Sequence, residues 1–163
     1  MNPFSLERIN SKSPYKVTVI NNGLSFTTTK GLHYVVRFFE DNPIGGCDTY
    51  QFSFARKEED SMGEDPYVRF TLFAIIDEFF LTNSDVLLYI CDTSDNREAA
   101  RNRLFIRWFK QSAQPHRFTI KAANAMVDGQ GIYAAIIVEN CNPKLQDITA
   151  DFDRRAAVLA KPN

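Results

Sequence analysis

Arginine and aspartate side chains are concentrated where a predicted strand meets a predicted helix. Asp92 and Asp95 follow the apolar run at residues 86–91, and Arg97 and Arg101 lie in the first turns of the helix beyond. At about 100° per residue, both arginines share the arc of that helix's apolar residues. A guanidinium on an apolar face needs an anionic partner, because an unpaired buried charge is costly. The pattern therefore predicts an anion site or an internal ion-pair network.

A third arginine, Arg69, lies in the first turn of the preceding predicted helix and faces that helix's apolar arc. If the strands before the two helices are parallel, all three guanidinium groups lie near the same strand ends, where α/β proteins usually bind ligands. The guanidinium fork binds phosphate or carboxylate through paired hydrogen bonds. The alternative is a structural network in which Asp77 is a further partner. The candidates for the anion or ligand site are Arg69, Arg97, Arg101, Asp92 and Asp95.

The other reactive residue types form no catalytic or metal-binding motif in the sequence. Cys47, Cys91 and Cys141 are odd in number, far apart, and not spaced for zinc or a redox pair. Neither His33 nor His116 has a Cys or Ser neighbour in sequence. The acidic turn after residue 91 offers too few oxygen ligands for a divalent ion. We predict no catalytic residue and no metal.

Composition predicts one folded domain over residues 1–163, with its core at about residues 15–140. The chain is 44% hydrophobic with fourteen phenylalanines, which suits a packed core. A net charge of −1 gives no general attraction to nucleic acid or anionic membranes. No apolar run approaches the roughly 18 residues of a membrane span, and the first residues lack the apolar core of a signal peptide. We therefore expect a cytoplasmic protein with reduced thiols.

Hydrophobic periodicity predicts an α/β (α+β) fold: a mixed, mainly antiparallel sheet with two main helices and a short C-terminal helix. Asn22 and Gly23 form a strong hairpin signal because both residues tolerate positive φ. Asp65 and Pro66 supply the N-cap and first-turn proline of a helix over residues 66–81. The apolar face of this helix holds Val68, Leu72, Ile75, Ile76 and Phe79. The predicted strands cover residues 15–20, 24–29, 32–39, 49–55, 86–91, 117–127 and 132–138, with a break at 42–46 and a C-terminal helix from about 142.

The continuous apolar run at residues 86–91 predicts a strand covered on both faces. We expect this strand to be central and parallel to strand 49–55, joined to it by a right-handed crossover through helix 66–81. In the next helix, Trp108 shares an apolar arc with Leu104 and Phe109, so we expect Trp108 to be largely buried. The opposite, basic face carries Arg103, Arg107 and Lys110, with Arg117 beyond it.

Two segments carry a resemblance to a family of small bacterial proteins known only as a domain of unknown function. They are DPYVRFTLFAIIDEFF at residues 65–80 and YICDTSDNREAARNRLFIRWF at residues 89–109. The resemblance extends over about residues 15–143 and implies no known activity.

The chain order also resembles the GNAT N-acetyltransferase superfamily: hairpin strands, helix, strand, helix and a final hairpin. Residues 99–109 are similar, with shifted spacing, to its fourth-helix pattern Asn-x-x-Ala-x-x-Leu-Tyr-x-x-x-Gly-Phe. This resemblance implies a fourth and fifth strand that splay apart, with acyl-CoA between them. Three features depart from the family. The pyrophosphate loop retains only Gly63, Phe105 stands near the tyrosine position, and the turn at Asn22-Gly23 replaces two acceptor-site helices.

These features favour a non-catalytic ligand-binding or protein-interaction module on a GNAT-like scaffold, with no cofactor. The alternative is a divergent acyl-CoA-dependent acyltransferase in which Arg69, Arg97 and Arg101 replace the missing glycine loop, so enzymatic activity is left open. A nucleic-acid-binding regulator is the third hypothesis, and the basic helix face is its only support. The expected partner is an anionic small molecule or a protein. We expect no membrane partner, and nucleic acid is not favoured.

Overall fold

The computed structural model describes residues 1–58, 65–92, 104, 106–111 and 116–160. A further helical segment at residues 106–111 precedes the last hairpin. In chain order the elements are α1 (Leu6–Lys12), β1 (Thr18–Ile20), β2 (Gly23–Thr27), β3 (His33–Ile44), β4 (Cys47–Arg56), α2 (Pro66–Thr82), β5 (Val86–Asp92), β6 (Phe118–Val127), β7 (Gln130–Glu139) and α3 (Leu145–Ala160).

The strands form a mixed sheet in the order β1-β2-β3-β4-β5-β7-β6. The pairing of β5 with β4 is parallel, from Thr49↔Val86 to Phe52↔Tyr89. On its other side β5 is antiparallel to β7. The central, parallel placement of β5 is therefore confirmed, and α2 forms the connection from β4 to β5. The prediction of an α+β fold with a mixed, mainly antiparallel sheet is also confirmed.

The chain divides into two compact units, which share β3 and β4. The first unit contains residues Met1–Phe38 and Ser53–Ser84, and the second contains Phe39–Phe52 and Asp85–Asn163. One domain over the whole chain stays a prediction. None of the helices in the described ranges is long and apolar enough to cross a membrane.

In the first unit, the first turn and the start of α2 follow from a few neighbouring residues, and α2 contributes a large part of the core. Asn22 has a φ of 61° in the turn between β1 and β2, as the hairpin signal predicted. The Asp65 side chain accepts a hydrogen bond of 2.9 Å from the Tyr67 amide, so Asp65 is the N-cap of α2. The buried side of α2 contains Val68, Leu72, Ile75, Ile76 and Phe79, as its periodicity predicted.

In the second unit, a cluster of buried side chains packs on the face of β5 that carries Val86 and Leu88. Leu87 and Tyr89, on the other face of β5, are buried as well. The C-terminal helix α3 has 16 residues and belongs to this core, so the prediction of a short helix was wrong. Its apolar residues Ile148 and Phe152 recur at helical spacing and reach the sheet. The cluster contains Ile44, Cys47, Val86, Leu88, Ile136, Val138, Ile148 and Phe152.

The predicted break of the third strand at residues 42–46 was wrong in position. Strand β3 runs through Pro43 to Ile44, and the turn is confined to Gly45 and Gly46, whose φ angles are 58° and 74°. The pairing of β2 with β3 covers residues 33–36 of β3. Pro43 therefore lies beyond that pairing, where a strand tolerates a residue without an amide hydrogen.

The helical segment at 106–111 buries Phe109 of the predicted arc and also Ile106, which lies outside that arc. Ile106 and Phe109 are only 2% and 3% exposed, whereas Trp108 is half-buried. The buried side is centred about 130° around the helix from Trp108, at about 100° per residue. A large indole is seldom fully covered, and the smaller Ile106 is buried more completely. Trp108 is therefore less deeply buried than Ile106 and Phe109, and burial of most of the indole stays a prediction.

Candidate functional site

The predicted anion-site residues are only partly within the described structure. Arg69 lies half-buried in the first turn of α2, with its guanidinium carbon 5.1 Å from the centroid of the Phe70 ring. Asp92 is the last residue of β5, and the structure describes its backbone. Asp95, Arg97 and Arg101 lie outside the described residues. The joint site for these five side chains therefore stays a prediction.

A buried ion pair anchors α1 to α2 within the first unit. Glu78 of α2 is 3% exposed. Its carboxylate accepts hydrogen bonds from the Ser5 amide at 2.8 Å and from the Arg8 guanidinium at 2.7 and 3.0 Å. Burial alone would raise the pKa of Glu78, but the hydrogen bonds from Arg8 and Ser5 lower it. Both carboxylate oxygens are thus engaged, which identifies a structural anchor.

The sequence analysis did not single out Glu78, although a signal was present. At helical spacing, Glu78 falls on the same side of α2 as Thr71 and Ile75, which are both buried. A carboxylate on such a side needs a cationic partner. The partner, Arg8, lies in α1, a helix that was not predicted.

A second buried carboxylate joins α3 to the turn after β3 in the second unit. Asp151 is 7% exposed and accepts a hydrogen bond of 2.8 Å from the Gly45 amide. It also pairs with Arg154 at 2.6 Å and Arg155 at 2.9 Å. The Gly45 amide, followed by the two guanidinium groups, lowers the pKa of Asp151. This cluster therefore has a complete set of structural partners.

His33 is held by hydrogen bonds, and Cys47 is buried. His33 Nδ1 lies 2.5 Å from Glu58, whose carboxylate also accepts from the His33 amide at 2.8 Å. These two hydrogen bonds lower the pKa of Glu58 to about 2. Burial raises the pKa of the Cys47 thiol, which disfavours a reactive thiolate. Across the described ranges, no three His, Cys, Asp or Glu side chains are grouped to hold a metal ion.

The outer face of α2 carries exposed apolar side chains, which the sequence analysis did not identify. Tyr67, Phe70 and Leu81 are 54%, 45% and 61% exposed. At about 100° per residue, Phe70 and Leu81 share an arc with the half-buried Phe73 and Asp77. We call Tyr67, Phe70, Phe73 and Leu81 the α2 stripe. The available signal was that α2 is apolar on nearly all sides, so one apolar side had to face outward.

Comparisons with known proteins identify a family without a known activity. Searches of curated proteins and of solved structures gave no match. One family model matches residues 64–154, which contain α2, β5, β6, β7 and most of α3. The match begins later and ends later than the resemblance at about residues 15–143 suggested. Because it covers more than half of the 163 residues, the chain belongs to the family of unknown function DUF6169.

Proposed function

We propose that this chain is a non-catalytic module that binds another protein through the α2 stripe. The supporting observation is the exposure of Phe70 and Leu81 on the same side of a helix whose other sides are already buried. Large apolar side chains exposed singly are normal on protein surfaces. Several that lie along one helix face are typical of an interaction site.

The dimensions of the α2 stripe suit contact with a helix or another elongated apolar surface. Phe70 and Leu81 are eleven residues apart, which corresponds to about 16 Å along a helix. Aromatic side chains dominate the energetics of protein interfaces. Tyr67 adds an aromatic ring with a hydroxyl group at the start of the stripe, where an interface can remain partly hydrated.

Three carboxylates with strong partners support a binding role over a catalytic one. Glu78 and Asp151 are paired with arginines, and Glu58 is engaged by His33. Each of these carboxylates is held in its charged form by partners, whereas a general acid or base has a pKa close to the working pH. Their arrangement thus stabilises the fold.

The test is affinity capture with the full chain, followed by quantitative mass spectrometry of a lysate from the encoding organism. The double variant Phe70→Lys, Leu81→Lys should recover specific partner proteins at least about tenfold less well than the wild type. Loss of two apolar interface contacts costs more than the roughly 1.4 kcal/mol that corresponds to a tenfold change. The matched control is Ala157→Lys, Val158→Lys, which adds the same charge at exposed positions of α3.

Equal recovery by wild type and the α2 double variant would contradict this proposal. Circular dichroism of each variant establishes that its helices are intact before recovery is compared. If the only α2-dependent protein recovered were this chain, the partner would be a second copy.

The alternative, an acyl-CoA ligand, is supported by strand order. The parallel pairing of β4 with β5, connected by α2, agrees with the order that the GNAT resemblance implies. The anion-site hypothesis for Arg69, Arg97 and Arg101 belongs to this alternative. Thermal denaturation with CoA or acetyl-CoA separates the two proposals, because a ligand at 100 times its Kd stabilises by about 2.7 kcal/mol. We expect no shift; a saturable shift would favour the acyl-CoA function.

A further inference from the structure

Strand β6 forms one edge of the sheet and is long for an edge strand. It has 10 residues, Phe118–Val127, and it is the last strand in the sheet order. Of the described strands, only β7 pairs with it. An edge strand presents a row of backbone N–H and C=O groups to which another strand can pair.

The edge of β6 lacks the features that usually prevent such pairing. Its ladder with β7 is continuous from Phe118↔Glu139 to Val127↔Gln130, without a bulge. The strand contains no proline, and its single charged residue is Lys121. That lysine is bonded to Asp153 of α3. Proline, bulges and charged side chains are the usual protection of exposed edges, and β6 has only this one lysine, which Asp153 engages.

The side chains of β6 permit close approach of another strand. Ala122, Asn124 and Met126 are exposed on one face of the strand, and Ala123 and Ala125 alternate with them on the other. Small side chains at the centre leave the backbone accessible. The Lys121 ammonium group is hydrogen-bonded to Asp153 of α3, so its charge lies beside α3 and not at the open edge of the sheet.

We propose that β6 is the self-association surface of this protein, and that a second copy of the chain extends the sheet by antiparallel pairing of its own β6. Two identical antiparallel strands are related by a twofold axis, so the strand must be complementary to itself. A register centred on Ala123 pairs residues 119–127 of each copy and places Ala122 opposite Asn124. Lys121 is then opposite Ala125 of the second copy.

Charge supports a second copy as the occupant. In this register the two Lys121 side chains are separated by four residues along the strands, or about 14 Å at about 3.4 Å per residue. That distance exceeds the screening length of about 8 Å at physiological ionic strength. No like charges therefore oppose each other along the paired residues, and all small residues of the strand lie within the overlap.

The test is sedimentation velocity of the full chain over a range of concentrations, with charged variants of β6. The double variant Ala122→Lys, Asn124→Lys places like charges directly opposite each other in the dimer, so we expect a monomer. Ala122→Glu, Asn124→Glu should also be monomeric. An equimolar mixture of these two variants should restore the dimer, because opposite charges then face each other. Hydrogen exchange of residues 119–127 in the wild type should slow as concentration rises.

The control variant Ala157→Lys, Val158→Lys should remain dimeric, as should Phe70→Lys, Leu81→Lys in the other unit. This inference is therefore separable from the proposed role of α2. A wild-type chain that is monomeric at every concentration would overturn it. A dimer that persists in both charged β6 variants, or a mixture that remains monomeric, would overturn it as well.

Discussion

Substitution of Gly45 by alanine should lower the free energy of unfolding by about 2–5 kcal/mol. Gly45 has a φ of 58°, where an L-residue costs about 1–2 kcal/mol. A Cβ at this position would lie 2.4 Å from the backbone nitrogen of Ile148 in α3. Backbone atoms cannot move aside as a flexible side chain does, so α3 must shift, and overpacking of this kind costs about 1–3 kcal/mol.

The adjacent glycine is a matched control for this prediction. Gly46 has a φ of 74°, but a Cβ there would meet no atom within 4 Å. Gly46→Ala should therefore cost only the backbone term of about 1–2 kcal/mol. Urea unfolding followed by fluorescence of Trp108, the single tryptophan, measures both variants. Equal losses for the two variants would show that the turn does not contact α3 in solution.

Replacing Phe79 by alanine should cost about 3–5 kcal/mol, as truncation of a fully buried aromatic side chain usually does. Phe79 is 0% exposed. Its ring centroid lies 5.4 Å from that of Phe38, 6.5 Å from Phe4 and 5.0 Å from Phe80. Removal of the ring leaves a cavity that these aromatic neighbours cannot fill without leaving their own contacts.

Phe70→Ala, in the same helix, provides the comparison. Phe70 is 45% exposed, so its truncation should cost less than about 1 kcal/mol. Urea unfolding followed by far-ultraviolet circular dichroism measures both variants. If Phe70→Ala were as destabilising as Phe79→Ala, the α2 stripe would belong to the core, and the proposed interaction surface would lose its support.

For the candidate anion site, the sequence predicted which arginine and aspartate residues could come together, but not how their side chains are placed relative to the sheet. Spacing indicated that Arg97 and Arg101 share an arc of their helix, but the position of an arc relative to the sheet depends on packing. The segment at 106–111 shows this directly, since Ile106, outside the predicted arc, is more deeply buried than Trp108 within it. Glu78 and Asp151 acquire their partners from distant parts of the chain, Arg8 and Gly45, and no local pattern connects them.

The sequence by itself determined the features that depend on a few neighbouring residues. Asn22 supplied the positive φ of the first hairpin, and Asp65 capped α2, because each effect is local. The unbroken apolar run placed β5 in the middle of the sheet, because such a run requires burial on both faces. Tertiary structure decided how far the burial of α2 extends beyond its predicted face, and so left Phe70 and Leu81 exposed. An apolar helix can bury almost any of its sides, and only the space available in the fold selects among them.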